Sequence, residues 1–259
     1  MTEKPLNATI DSIVRILKDS GSILFVTGAG ISADSGVPTY RGIGGLYNVE
    51  VTDEGYAIEE SLSASMLASN PALTWKYLAQ IGRAVSGVTF NRAHEVIAEM
   101  EAHFPRVWTL TQNVDGFHTQ AGATNVVEAH GNMHSLSCVK CHASATVSDF
   151  NEEMELPPKC PACGGLVRPD VVLFGELLSS EGIATIQREI EAGFDVVFSI
   201  GTSSVFPYIK APVELASYHG NPTVEINPCE TSISHLVDYQ LPMKAAPALD
   251  EIWKRYQAA

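Results

Sequence analysis

Four cysteines fall in two close pairs, Cys138-x-x-Cys141 and Cys160-x-x-Cys163, with eighteen residues between the pairs. Each Cys-x-x-Cys turn can aim two thiolates at one ion, and two such turns make a closed tetrahedral set. The spacing predicts one structural zinc, with no open position for a reacting water. An iron site of rubredoxin type is the alternative that the ligands alone leave open. A second group is Gly28-Ala29-Gly30-Ile31-Ser32-Ala33, directly after the apolar run Ile23-Leu24-Phe25-Val26-Thr27. In a G-x-G-x-x-A turn the first glycine allows the tight bend and the second lets the backbone approach a pyrophosphate. The small third residue lets a helix pack closely, its N-terminus facing the phosphates. Taken alone, this turn also fits a dinucleotide-dependent oxidoreductase. Against that reading, no second strand ends in an acidic residue about 20 positions on, and residues 42–56 read as loop. A third candidate is His130, within Glu128-Ala129-His130-Gly131. Its ring titrates near neutrality, as a general base requires. The other seven of the eight histidines, His94, His118 and His134 among them, read as structural or surface groups.

These groups need a scaffold. Ile10, Ile13, Val14 and Leu17 share one face of a helix over 8–20 that Gly21 closes. Residues 23–27, 107–111, 125–130, 195–200 and 223–226 read as strands. Most of them run straight into small or polar residues. The loops after Thr27, Thr111, Ile200 and Ile226 are therefore predicted to line one crevice, at the carboxyl ends of a parallel sheet. Asn70-Pro71 opens a helix that continues through Ile81, and another spans 93–102. Residues 39–69 read as loops and short helices. The fold class is α/β.

The chain has 259 residues, 45% of them hydrophobic and 18% charged, and a formal net charge of −14. That length suits one large domain with a small insert. The acidic balance argues against a broad nucleic-acid-binding face; it chiefly serves solubility. No apolar run reaches the roughly 20 residues of a membrane span. Residues 1–11 show no secretory pattern, so a cytoplasmic protein is expected, and paired cysteines there favour a metal over disulfides. Cys229 stands alone and is given no role.

Read together, the stretches 28–42, Thr111–His118, Glu128–Gly131, the four cysteines, Arg168–Glu176, Gly201-Thr202-Ser203 and Asn227 resemble the sirtuin family over about residues 10–255. The resemblance implies a Rossmann-like domain of residues 1–134 and 169–259, which also contributes helices and a flexible loop at 40–70. A zinc module of residues 135–168 is inserted in it. It implies that NAD and an acyl-lysine peptide meet in the cleft between the two. The acyl oxygen attacks the ribose carbon, nicotinamide leaves, and His130 as base lets a ribose hydroxyl attack the resulting imidate. Water then completes the release, so lysine and O-acyl-ADP-ribose are the implied products. Asn113 joins His130 as catalytic. Gly28, Ala29, Gly30, Ser32, Tyr40, Arg41, Gln112, Asn113, Asp115, Gly201, Thr202, Ser203, Asn227 and Ala245 are implied to hold NAD. Tyr77, Val172, Phe174, Gly175 and Glu176 are implied to meet the substrate, the backbone of 172–176 pairing with it as an added strand. Protein ADP-ribosyl transfer from the same NAD site is the alternative activity, and an NAD-binding module without catalysis a third.

One departure bears on specificity. Relatives that remove succinyl or malonyl groups carry Tyr-x-x-Arg, the Arg gripping the acyl carboxylate. Here Tyr77 is followed by Gln80. Weak activity on succinyl-lysine and better activity on neutral acyl groups are expected, unless Arg83 reaches in from the next turn.

Overall fold

A computed structural model describes residues 3–39, 51–151 and 153–259. The chain runs through α1 (Glu3–Lys18), β1 (Ser22–Thr27), α2 (Ile58–Ser61), α3 (Ala64–Ser69), α4 (Pro71–Val85), α5 (Arg92–His103), β2 (Arg106–Thr111) and α6 (Phe117–Gln120). It continues through β3 (Val126–Glu128), β4 (Gly131–Cys138), β5 (Ser144–Thr146), β6 (Val167–Val171), α7 (Ser180–Glu191) and β7 (Val196–Ile200). It ends with α8 (Pro207–His219), β8 (Thr223–Ile226), β9 (Tyr239–Leu241) and α9 (Ala245–Ala258).

The apolar face of α1 (Ile10, Ile13, Val14, Leu17) is buried, as its spacing predicts. The helix stops at Lys18, before Gly21, whose N–H instead donates to Asp195 Oδ2 at 2.8 Å. Asn70 caps α4 by accepting from the Leu73 N–H, with Pro71 in the first turn.

Six strands form one all-parallel sheet in the order β3-β2-β1-β7-β8-β9. Strands covered on both faces must be apolar throughout, and Ile23, Leu24, Phe25 and Val26 of β1 are all buried. One face packs against α1, α5 and α9. The other packs against α7 and α8, through Ile186, Ile209 and Val213. The chain leaves the sheet on one side of β1 and re-enters on the other at β7. Between these two strands lies the switch point where α/β sheets open a binding crevice.

A second, antiparallel sheet has the order β5-β4-β6. Its core is shared with α2–α4: Ile58, Trp75 and Leu78 pack with Met133, Leu136 and Val167. Trp75 Nε1 donates to the Val167 carbonyl at 2.9 Å, satisfying the one polar atom of that buried ring.

In one respect the glycine-rich turn departs from expectation. Two short 3-10 turns, Ala29–Ile31 and Ala33–Ser35, follow β1, and among the described residues up to Thr39 no α-helix begins there. The cause is local. Gly36 adopts φ 91° and Pro38 follows, so no helical turn propagates.

Candidate active site

The four loops predicted to share a crevice are tied to one another at the carboxyl ends of β1, β2, β7 and β8. Gly30 presses on Gly201 so closely that a Cβ added to Gly30 would lie 2.6 Å from the Gly201 Cα. The Gly28 N–H donates to the Ile200 carbonyl at 3.1 Å and the Gly30 N–H to the Gly201 carbonyl at 2.8 Å. Those two amides are thus engaged within the chain. The glycines serve the close approach of two loops, a correction to amides turned toward phosphate. Ala29, half-buried, stands between them.

Behind this turn lies a buried polar network. Asn113 Nδ2 donates to the Gly28 carbonyl at 3.2 Å and to Ser32 Oγ at 3.1 Å. Ser32 Oγ donates to Asp115 Oδ2 at 2.7 Å, and Asp115 Oδ1 accepts from the Phe117 N–H at 3.0 Å. Burial pushes the Asp115 carboxyl up, against the Phe117 N–H and the Ser32 hydroxyl, which favour its charge. Gln112 Nε2 donates to Thr202 Oγ1 at 2.6 Å, and Asn227 Nδ2 to the Thr202 carbonyl at 3.1 Å. Ser203 is exposed and offers its carbonyl to Ser232. Ala245 is buried in the first turn of α9, within the main apolar core. Tyr40 and Arg41 lie outside the described residues.

His130 stands where β3 passes into β4, beside the same loops: the Ala129 N–H donates to the Thr111 carbonyl and the Val172 N–H to the His130 carbonyl, each at 2.9 Å. Gly131 follows at φ 77°, where a Cβ would lie 1.9 Å from the Asp170 carbonyl oxygen, so only glycine permits this turn. The imidazole is half-buried, and burial lowers its pKa. Its Nε2 lies 2.5 Å from Tyr208 Oη, and Phe206 meets the ring edge-on with centroids 5.9 Å apart. Neither aromatic was singled out in the sequence. Nothing in a Pro-Tyr pair at a helix start marks it as a partner of a residue 78 positions away.

His94 and His118 are structural, as expected. His94 Nδ1 accepts from the Asn91 N–H and completes the α5 capping box. His118 Nε2 lies 2.9 Å from Thr27 Oγ1, under the glycine turn. Burial holds His94 down at about 4 and His118 well below its ordinary value. Both are therefore neutral when folded. As pH falls below 6.5 the unfolded chain takes up protons first, so stability is lost between pH 6.5 and about 4. For His94 the loss is about 3 kcal/mol. In urea unfolding at pH 7 and pH 4.5, His94→Gln should lose less stability than the parent chain. Equal losses would show that His94 does not titrate in this window.

The four cysteine sulfurs lie within 4.8 Å of one another, with Cys138 Sγ 3.5 Å from Cys163 Sγ and Cys141 Sγ 3.6 Å from Cys160 Sγ. Sulfurs at about 2.3 Å from one tetrahedral zinc would be about 3.8 Å apart. The cluster therefore fits zinc, and four thiolates leave no catalytic position. It is held at the end of β4 and the turn before β6, away from the sheet crevice.

Of the residues expected to meet substrate, Phe174 is 37% exposed. Its main chain is already engaged: its N–H donates to the Leu62 carbonyl, and its carbonyl accepts from the Ala64 N–H, both at 3.0 Å. Phe174 itself thus offers its ring. Glu176 grips Arg168 through both oxygens, at 2.5 and 2.9 Å, and accepts from the Leu173 N–H. It braces the 172–176 turn. Val172 is half-buried and Gly175 exposed at φ 85°. Tyr77 is buried and its hydroxyl donates to Glu54 Oε2 at 2.5 Å. Lys76 and Tyr77 together hold the Glu54 carboxyl down at about 2. Gln80 is half-buried, and Arg83 exposed one turn on. Glu54 went unnoticed in the sequence because a loop acid carries no pattern.

The fold and these sites define a doubly wound α/β protein of Rossmann type that carries a tetrathiolate metal module. The model of the Sir2 family matches residues 28–207. The chain is 46% identical over 248 residues to NAD-dependent protein deacylase 2 of Pseudomonas aeruginosa, covering 95% of this chain and 96% of that one. Among solved structures it resembles the ADP-ribose complex of a Sir2 homologue mutant, with TM-score 0.86 and 34% identity over 95% of this chain and 96% of the other. It also resembles a Sir2 homologue in complex with NAD, with TM-score 0.82 and 34% identity over 100% and 94%. The chain belongs to the Sir2 family.

Proposed function

We propose that this protein is an NAD-dependent protein-lysine deacylase that prefers neutral acyl groups. The observation that carries the reading is His130, a half-buried imidazole at the carboxyl-end crevice beside the buried Ser32–Asn113–Asp115 network. A neutral imidazole can take a proton from a ribose hydroxyl, and its lowered pKa keeps it neutral at physiological pH. Asn113 and Asp115 each bond Ser32, so the three polar groups keep fixed positions behind the glycine turn. Thr202, anchored by Gln112 and Asn227, steadies the far side. NAD, when bound, supplies the activated ribose carbon that accepts the acyl group. Residues 1–134 and 169–259 form the nucleotide-holding part and 135–168 the zinc module. The partners are acyl-lysine proteins or peptides. Among the described residues no helix is long and apolar enough to cross a membrane.

The preference for neutral acyl groups rests on Gln80 in place of arginine and is strengthened by Glu54. A carboxylate already hydrogen-bonded to Tyr77 repels a second one. Acyl-lysine peptides incubated with NAD and followed by mass spectrometry should lose acetyl or longer neutral groups, with matching nicotinamide and O-acyl-ADP-ribose. Gln80→Arg should raise turnover of succinyl-lysine about tenfold or more, the scale of one charge-assisted bond, and more again with Glu54→Gln. No gain in either would remove the specificity reading. Nicotinamide release with ADP-ribose added to a protein, and no acyl lost, would favour the transferase.

A further inference from the structure

We propose that Tyr208 masks the His130 base, its hydroxyl competing with the substrate hydroxyl for the single imidazole lone pair. The inference rests on the reading of His130 as the base. A neutral imidazole has one N–H and one lone pair. The nitrogen that meets Tyr208 is Nε2, 2.5 Å from its hydroxyl, and a ring that acts as a base through Nε2 carries its lone pair there. Tyr208 must donate to it. A base whose lone pair is already capped cannot take a proton until the cap moves.

The surroundings of Tyr208 allow such movement. It lies in the first turn of α8, half-buried, with its ring stacked on Phe206 at 5.7 Å. Four residues on stands Pro212, inside the helix and without an N–H. The Tyr208 carbonyl so lacks its ordinary helical donor, and the first turn is less tightly tied. Asp115 and Glu128 are the acidic groups of neighbouring loops, with His134 beyond them, and on α8 Lys210 pairs with Glu214 at 2.9 Å. None of these charges is a cause of the lowered His130 pKa, to which burial contributes most.

The test uses the full chain. Tyr208→Phe deletes one oxygen and keeps the ring on Phe206. The His130 ring signal, identified by its absence from His130→Ala, is titrated by NMR. Losing a donor to Nε2 withdraws support from the neutral ring, so the midpoint should rise by roughly 0.4 to 1 unit. At pH 8 the ring is neutral in both proteins. There kcat/KM for NAD should rise roughly 2- to 10-fold, mainly through KM, since no hydrogen bond has to be broken. Tyr208→Leu should shift both in the same direction, with thermal midpoints confirming that each variant folds. An unchanged titration midpoint, or a lower kcat/KM at pH 8 in Tyr208→Phe, overturns the masking role. Failure of the deacylase reading would show separately, as no acyl loss from the parent chain, and failure of the base assignment as acyl removal that survives in His130→Ala, because the NMR titration needs no turnover.

Discussion

His130→Ala should lower acyl removal by about 10²- to 10⁴-fold, the usual contribution of one general base, while NAD still binds. The two effects separate because His130 is not part of the polar network around Ser32, Asn113 and Asp115. Its ring is bonded to Tyr208, and its main chain is held independently by Val172. Truncation therefore removes the imidazole and leaves the turn at Gly131 in place. Mass spectrometry gives the rate of acyl loss, and calorimetric titration with NAD gives the affinity. Loss of affinity in proportion to rate would make His130 a binding residue. Full activity would remove it from the chemistry.

Removing the metal should have a comparable effect from a distance. Structural zinc commonly contributes on the order of 10 kcal/mol to the fold of its module. Here β4 leaves His130-Gly131 and ends at Cys138, while β6 begins just after the second cysteine pair and delivers Val171 to the 172–176 turn. Both strands run from the cluster to the crevice, so slack at the sulfurs reaches His130 and Val172 together. A strong chelator, or Cys160→Ser, should release one zinc per chain and reduce activity about 100-fold or more. The parallel sheet should persist in far-ultraviolet dichroism, because its core draws on α1, α5 and α9. Metal analysis beside the activity assay decides it, and a zinc-free chain of full activity would defeat the argument.

Much of this arrangement was legible because the physics is local. β1 is apolar over its whole length and ends in glycines. The cysteine pairs have a spacing that one ion explains. Asn70-Pro71 and the Asn91–His94 pair are helix starts written in a few residues. What escaped depends on tertiary contact. β9 is three residues long and exists because β8 offers it an edge. α8 carries Pro212 in its interior and drew no helix expectation from the sequence, yet it packs on the sheet through Ile209 and Val213. The glycine turn reads as a helix start, but the approach of Gly201 takes its amides. The Tyr208–His130 and Tyr77–Glu54 contacts join segments whose spacing carries no signal. The Phe174 main chain meets Leu62 and Ala64, a contact between segments more than a hundred residues apart that no local pattern announces.

The contact of Gly30 with Gly201 also sets an order of assembly. The two glycines are separated by more than half the chain, and β1 meets β7 only after the antiparallel module between them has been made. Contacts of such long sequence separation form late and slowly. A chain emerging from the ribosome thus carries the whole glycine motif long before it has a nucleotide floor. In this molecule, the ability to hold a dinucleotide marks the completion of folding.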